Sequence, residues 1–186
     1  FIELLPHIKG EWAKPIYVDG RITYNRLVLE DWQVFNEFNL FAWVHRASRL
    51  RRFRRSYEEI ARKNAKSTRG AGRMLYLAFS DGEPGSDGEP GAQVYSAATT
   101  AEQAREVFDV AREMALRDEE FRRRFEVTVG RYDITSPKLA QTFKILNAEA
   151  STQDGLNVHA ALVDEVHAHK KRDLWDVIES DDGSRS

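Results

Sequence analysis

Ala160 to Val163 form an apolar run that stops on two adjacent acids, Asp164 and Glu165. A strand buried on both faces reads as such an unbroken apolar stretch, and sheets of that kind are parallel and covered by helices. Two other segments fit beside it: "AQVYSAA" reads as a short buried strand and "KLAQTFKILNAE" as a strand with flanks. Between them, "TTAEQAREVFDVAREMALRD" carries Ala104, Val107, Phe108, Ala111 and Ala115 on one helical face, with Thr100 and Gln103 at capping-box spacing. Strands alternating with helices predict an α/β sandwich with a largely parallel sheet, whose ligands sit at the carboxyl ends of the strands.

The remaining chain is read around this frame. Residues 1–28 mix aromatics, prolines and charges without clear period and are expected to form an irregular extension packed on the core; residues 29–186 form one domain. "LEDWQVFNEFNLFAWVHR" has helical spacing after an acidic first turn. The segment "LRRFRRSYEEIA" is expected to supply one or two strands, and a helix follows from Lys66 to about Ser80. "FEVTVGRYDIT" predicts one or two strands around Gly130, and "RDLWDVIES" a final helix. A tandem hexapeptide, Ser80 to Gly85 and Ser86 to Gly91, is rich in turn dipeptides and predicts an exposed, mobile loop.

Composition narrows the function classes. A chain of 186 residues with 41% hydrophobic residues buries one sizeable core, and its net charge of -2 confines any nucleic-acid contact to a local basic patch. The absence of cysteine excludes disulfides and thiolate metal sites, and no run approaches the length of a membrane span. Opening on Phe1 and ending in "DDGSRS" directly after a helical pattern, the sequence is expected to be a fragment of a longer protein.

The chemistry concentrates at two strand ends. In "ARKNAKST" the phosphate-loop pattern places glycines where this chain has Ile60 and Ala65, yet the parts that carry charge are present. Lys66 suits the β- and γ-phosphates of ATP, and the Ser67 hydroxyl can bind Mg²⁺. Asn64 tolerates left-handed backbone and is expected to supply part of the bend. The candidate nucleotide-binding stretch is Arg62, Lys63, Asn64, Ala65, Lys66, Ser67 and Thr68. Alone, this stretch is equally well a basic helix start without a ligand. Paired with "ALVDE" it becomes half of a site: Asp164 is expected to hold Mg²⁺ through Ser67 and water, and Glu165 to orient and deprotonate the water that attacks the γ-phosphate. Because nucleotide kinases need no water-activating carboxylate, the acid pair favours hydrolysis.

Four stretches, "RRFRRSYEEIARKNAKST", "VYSAATTAEQAREVFDVAR", "STQDGLNVHAALVDEVHAHK" and "LWDVIES", together resemble the ATPase domain of the large terminase subunit of tailed bacteriophages, the group that includes HK97-like enzymes. The resemblance runs from about Leu4 to Glu179 and implies a P-loop NTPase three-layer sandwich with a mainly parallel central sheet, of the additional-strand catalytic-glutamate type. It also implies a DNA-packaging motor: a homo-oligomeric ring, a pentamer in the family, that hydrolyses ATP to drive double-stranded DNA into a procapsid. The portal protein and the small terminase subunit would be partners, the setting the host bacterial cytoplasm at the procapsid portal, and no membrane would be involved. The nuclease activity of such subunits resides in a separate C-terminal domain and is not expected from this fragment. By the same resemblance Gln33 reads the adenine edge with Trp32 or another aromatic nearby, and Arg62 touches or senses the γ-phosphate. Ala65 in a common glycine position and the duplicated SDGEPG unit depart from the family pattern; the second unit reads as a tolerated surface insertion.

Other residues carry weaker signals. The arginine run from Arg49 to Arg55 suits DNA phosphates, subunit contacts or a solvated face paired with Glu58 and Glu59; the solvated face is favoured. Arg105 and Arg131 are candidates for an arginine supplied to a neighbour's ATP. His159, His167 and His169 read as supports of the acid pair rather than metal ligands, and Trp12, Trp43 and Trp175 as core or lid residues. Two alternatives to the packaging motor stay open, a helicase-like or other P-loop translocase and a nucleotide-binding interaction module without turnover.

Overall fold

A computed structural model of the protein describes residues 1–82, 86–98, 100–146, 158–166 and 178. Its centre is a five-stranded sheet in the order β4-β5-β6-β3-β7, built from β3 (Gln93–Ala97), β4 (Thr128–Val129), β5 (Asp133–Ser136), β6 (Gln141–Leu146) and β7 (Val158–Val163). β3 lies between β6 and β7 and is parallel to both.

The sheet is mixed, which corrects the expectation of a mainly parallel one: β4–β5 and β5–β6 pair antiparallel. Connection length decides the direction. Parallel neighbours need a crossover of roughly a dozen residues or more, whereas antiparallel ones accept a tight turn. Only residues 130–132 separate β4 from β5, closed by Gly130 N–H donating to Asp133 C=O at 2.8 Å, and only residues 137–140 separate β5 from β6.

Two helices cover one face of the sheet and touch each other, α2 (Lys66–Phe79) and α3 (Ala101–Arg117). Leu75, Ala78 and Phe79 of α2 and Phe108, Ala111 and Ala115 of α3 are fully buried against Val94 and Phe143. The alternation of β3 sends Tyr95 and Ala97 to the opposite face, where Leu146 and Ile178 pack with them. Thr100 caps α3 by accepting the Gln103 N–H at 3.2 Å, while the Gln103 side chain returns to the Thr100 hydroxyl instead of its backbone.

Several elements depart from the sequence reading. The first 28 residues are more ordered than expected: two 3-10 turns and a hairpin, β1 (Pro15–Val18) with β2 (Arg21–Tyr24), and Ile2, Leu5 and Leu27 join the main core. Ile2 and Leu5 lie over Gly72 of α2, where any side chain would crowd them. The helix expected over residues 29–46 is α1 (Asp31–Phe41). Residues 52–60, expected to contribute strands, form none; one bridge between Val44 and Arg51 is all the pairing near them. Leu50, Phe53 and Tyr57 are exposed there, so no apolar face exists to dock a strand on the sheet. An unforeseen helix, α4 (Glu119–Phe125), starts directly after α3 because Asp118 ends one helix and caps the next, accepting the Phe121 N–H at 2.9 Å. Trp12 and Trp43 are largely exposed and are not core residues. The expected final helix, Trp175, His167 and His169 lie outside the described residues, Ile178 excepted.

Candidate nucleotide site

The loop before α2 bends without glycine. Lys63 and Ala65 adopt left-handed backbone, with φ of 71° and 58°. That geometry costs a non-glycine residue about 1–2 kcal/mol. Asn64, expected to supply the bend, instead braces it by donating its side-chain amide to the Ala61 carbonyl at 3.2 Å. Ala65 stands at the cap position of α2 and offers no side-chain acceptor, so the first N–H groups of α2 lack the side-chain cap that α3 and α4 have.

Lys66, the first residue of α2, reaches the end of β7. Its ammonium lies 2.7 Å from Asp164 Oδ1 and 3.1 Å from Glu165 Oε1, the latter 99 positions away in the chain. The hydrogen bond to Asp164 leads the causes that lift the Lys66 ammonium above its ordinary range; burial opposes it and Glu165 adds to it. Asp164 N–H donates to the Ala97 carbonyl at 2.9 Å, continuing the β3–β7 pairing past the strand, and Asp164 Oδ1 accepts the Glu165 N–H at 2.8 Å. Glu165 turns left-handed, with φ of 50°, and is the more accessible acid: its side chain is 37% exposed against 12% for Asp164.

The other expected site residues lie on several separate elements. Arg62 and Lys63 are exposed, Thr68 is half-buried in the first turn of α2, and Ser67 lines a cleft of about 480 Å³ with Ile8, Lys9, Glu106 and Asp109 on the α3 side. Gln33 is buried, and its side-chain oxygen accepts the Glu30 N–H at 3.0 Å, closing the start of α1. A second cleft, of about 690 Å³, is lined by Trp32, Asn36, Phe53, Tyr57, Ile60 and Asn64 among others, and so runs from α1 to the loop. Arg105 and Arg131 both lie against Tyr132, at 5.1 and 5.2 Å from its ring centre.

Two arrangements were not foreseen. Arg69 and Arg73 of α2 both pair with Glu37 of α1 and with Glu58 of the segment before the loop. The sequence signal was there: two arginines four residues apart, flanking the small-residue stretch "GAG", cannot be buried without carboxylates to meet them. His159, expected to support the acid pair, instead lies at the other end of β7 between Asp81 and Glu89, 2.9 and 3.1 Å from its two ring nitrogens. Those acids belong to the two copies of the hexapeptide. The second copy is therefore no free loop: Gln141 donates to the Asp87 and Glu89 carbonyls, and Asp87 pairs with Arg124 and Lys138.

The family model for the terminase large subunit, ATPase domain, matches residues 31–181. The crystal structure of the HK97 bacteriophage large terminase has a similar fold, with a TM-score of 0.69 and 22% sequence identity over 87% of this chain. The present chain spans 32% of that chain's length. No curated protein matches the chain.

Proposed function

Since the chain belongs to the family of terminase large-subunit ATPase domains, we propose that it hydrolyses ATP and that the hydrolysis drives double-stranded DNA into a viral procapsid. The observation that carries the first half is the meeting of Lys66, at the start of α2, with the adjacent acids Asp164 and Glu165 at the carboxyl end of β7. A helix start with open N–H groups and a full positive charge suits a polyphosphate. Two carboxylates beside it, one sheltered and one accessible, suit metal retention and water activation respectively.

In this reading the fold is a P-loop NTPase three-layer sandwich of the additional-strand catalytic-glutamate type. Lys66 leaves the acids and pairs with the β- and γ-phosphates, while Arg62 and Lys63 add positive charge at the exposed side of the loop. Glu165 holds the attacking water and takes its proton. The Asp164 carboxylate and the Ser67 hydroxyl are oxygen donors of the kind Mg²⁺ selects, and among the described residues no cluster of three or more His, Cys, Asp or Glu could hold a metal. Two protein donors completed by phosphate and water are the usual Mg²⁺ arrangement, so these residues fit the ion. When bound, it neutralises charge that develops on the phosphates. Gln33 reads the base edge only if its amide exchanges the Glu30 N–H for the adenine.

We further propose a homo-oligomeric ring in which an arginine, Arg105 or Arg131, reaches the neighbour's ATP, with contacts to the portal protein and the small subunit and action in the host cytoplasm at the procapsid portal. Among the described residues no helix is long and apolar enough to cross a membrane. The test is ATP turnover of the wild type, Lys66→Ala and Glu165→Ala, with DNA and neighbouring subunits present. Loss of binding in the first and of turnover with retained binding in the second are expected. Hydrolysis unaffected by either change sinks the assignment.

A further inference from the structure

The loop from Arg62 to Thr68 carries two left-handed non-glycine residues, and no strand among the described residues holds the segment before it. Strained backbone persists only where its surroundings over-determine it. The surroundings here are ionic. Arg69 Nε and Nη2 donate to one oxygen of Glu37 at 3.1 and 2.9 Å, and Arg73 Nε donates to the other at 2.7 Å. Glu58 completes the group, paired with Arg73 and 3.3 Å from Arg69 Nη2. Two positive and two negative charges cancel, and Arg69 is almost fully buried. Glu58 precedes the loop and the arginines follow it, so the quartet ties the loop's entrance to its exit and both to α1.

We infer that Glu37, Glu58, Arg69 and Arg73 are positioning residues that clamp the phosphate loop in its binding conformation, in place of an upstream paired strand and of loop glycines; the inference rests on the reading of residues 62–68 as a nucleotide loop. None of the four needs to touch ATP. Releasing the clamp lets Lys63 and Ala65 relax, so that only a fraction of molecules present a competent loop. Apparent affinity falls by that fraction, whereas turnover at saturation returns, because bound nucleotide reselects the strained form.

The experiment measures MgATP binding by calorimetry and steady-state turnover on the full chain for the wild type, Glu58→Gln and Glu58→Gln/Ala65→Gly. In Glu58→Gln, Kd and KM rise about tenfold while kcat falls no more than about twofold. Ala65→Gly, which takes left-handed backbone without cost, restores most of the lost affinity. A merely structural Glu58 would lower kcat per mole of protein with KM unchanged and would gain nothing from a glycine at 65. Should Glu58→Gln not fold, Arg73→Lys, which keeps the charge and loses the fork, is read in the same way. A wild type that binds no MgATP overturns the ATPase reading and the clamp together. If the wild type binds and neither variant changes KM, or Ala65→Gly restores nothing, the clamp alone is wrong.

Discussion

The ammonium of Lys66 meets the carboxylate of Asp164 at 2.7 Å, so a cation from one half of the site already offsets one of the two negative charges of the other. A divalent metal arriving without nucleotide faces that positive charge. Free Mn²⁺, used as a spectroscopic stand-in for Mg²⁺, is expected to bind Lys66→Met about tenfold or more tightly than the wild type, the direction set by removing a unit charge at contact distance. Electron paramagnetic resonance titration reads the difference, and equal affinities would show that Lys66 does not compete with the metal.

Gly88 tests whether the second hexapeptide is built into the fold. A Cβ there would lie 2.9 Å from the Phe79 backbone carbon and 2.7 Å from Gln141 Nε2, at a φ of +80°. Gly91 has a similar φ of +73° with nothing within 4 Å. Gly91→Ala is expected to cost about 1 kcal/mol from backbone strain alone, and Gly88→Ala about 3 kcal/mol once overlap is added. Chemical denaturation of the two variants checks the gap; similar losses would mean that the loop gives way.

Asp87 anchors the same loop electrostatically. Hydrogen bonding from Lys138, and then from Arg124, holds its carboxyl below its ordinary value of 3.8. A carboxyl with a lowered folded value contributes stability above the ordinary value and loses it as pH falls through the lowered one. The melting-temperature difference between the wild type and Asp87→Asn is therefore expected to be constant from neutral pH down to about 5 and to vanish in stronger acid. A difference that grows on acidification would contradict the assignment.

Asp118 holds three segments together. It caps α4 through the Phe121 N–H and pairs with Arg26, which also donates to the Leu4 carbonyl of the N-terminal segment. Asp118→Ala is expected to cost about 2 kcal/mol, at the upper end for a lost cap. Arg26→Ala, whose partly exposed side chain is screened by water, should cost less than about 1 kcal/mol. Equilibrium unfolding that ranks Arg26 above Asp118 would place the weight on the ion pair instead.

How much of this was legible depends on the range of the interaction. The elements α2, α3, β3 and β7 were readable because each states its own period: small and apolar residues toward the sheet in the helices, unbroken apolar runs in the strands. Lys66 with Asp164 and Glu165 was readable as a pair because both strand ends carry residue types with one shared chemistry. The mixed pairing was not, since Gly130 and Pro137 announce turns but not which neighbour a strand chooses. Residues 52–60 misled because alternation was counted without asking what their arginines would face. The Glu37–Arg69 contact spans 32 positions and exists only once α1 has been laid on α2. The break at Asp118 stayed hidden because a residue that caps one helix while ending another has no glycine or proline to mark it.

β7 begins at the His159 clamp and ends at the acid pair. An extended strand is the stiffest form a backbone takes along its own axis, and six residues of it reach about 20 Å. The duplicated loop, through Asp81 and Glu89, thus holds one end of a tie rod whose other end carries Asp164 and Glu165. Because β7 pairs with β3, the duplicated loop and the acid pair are held to one central strand.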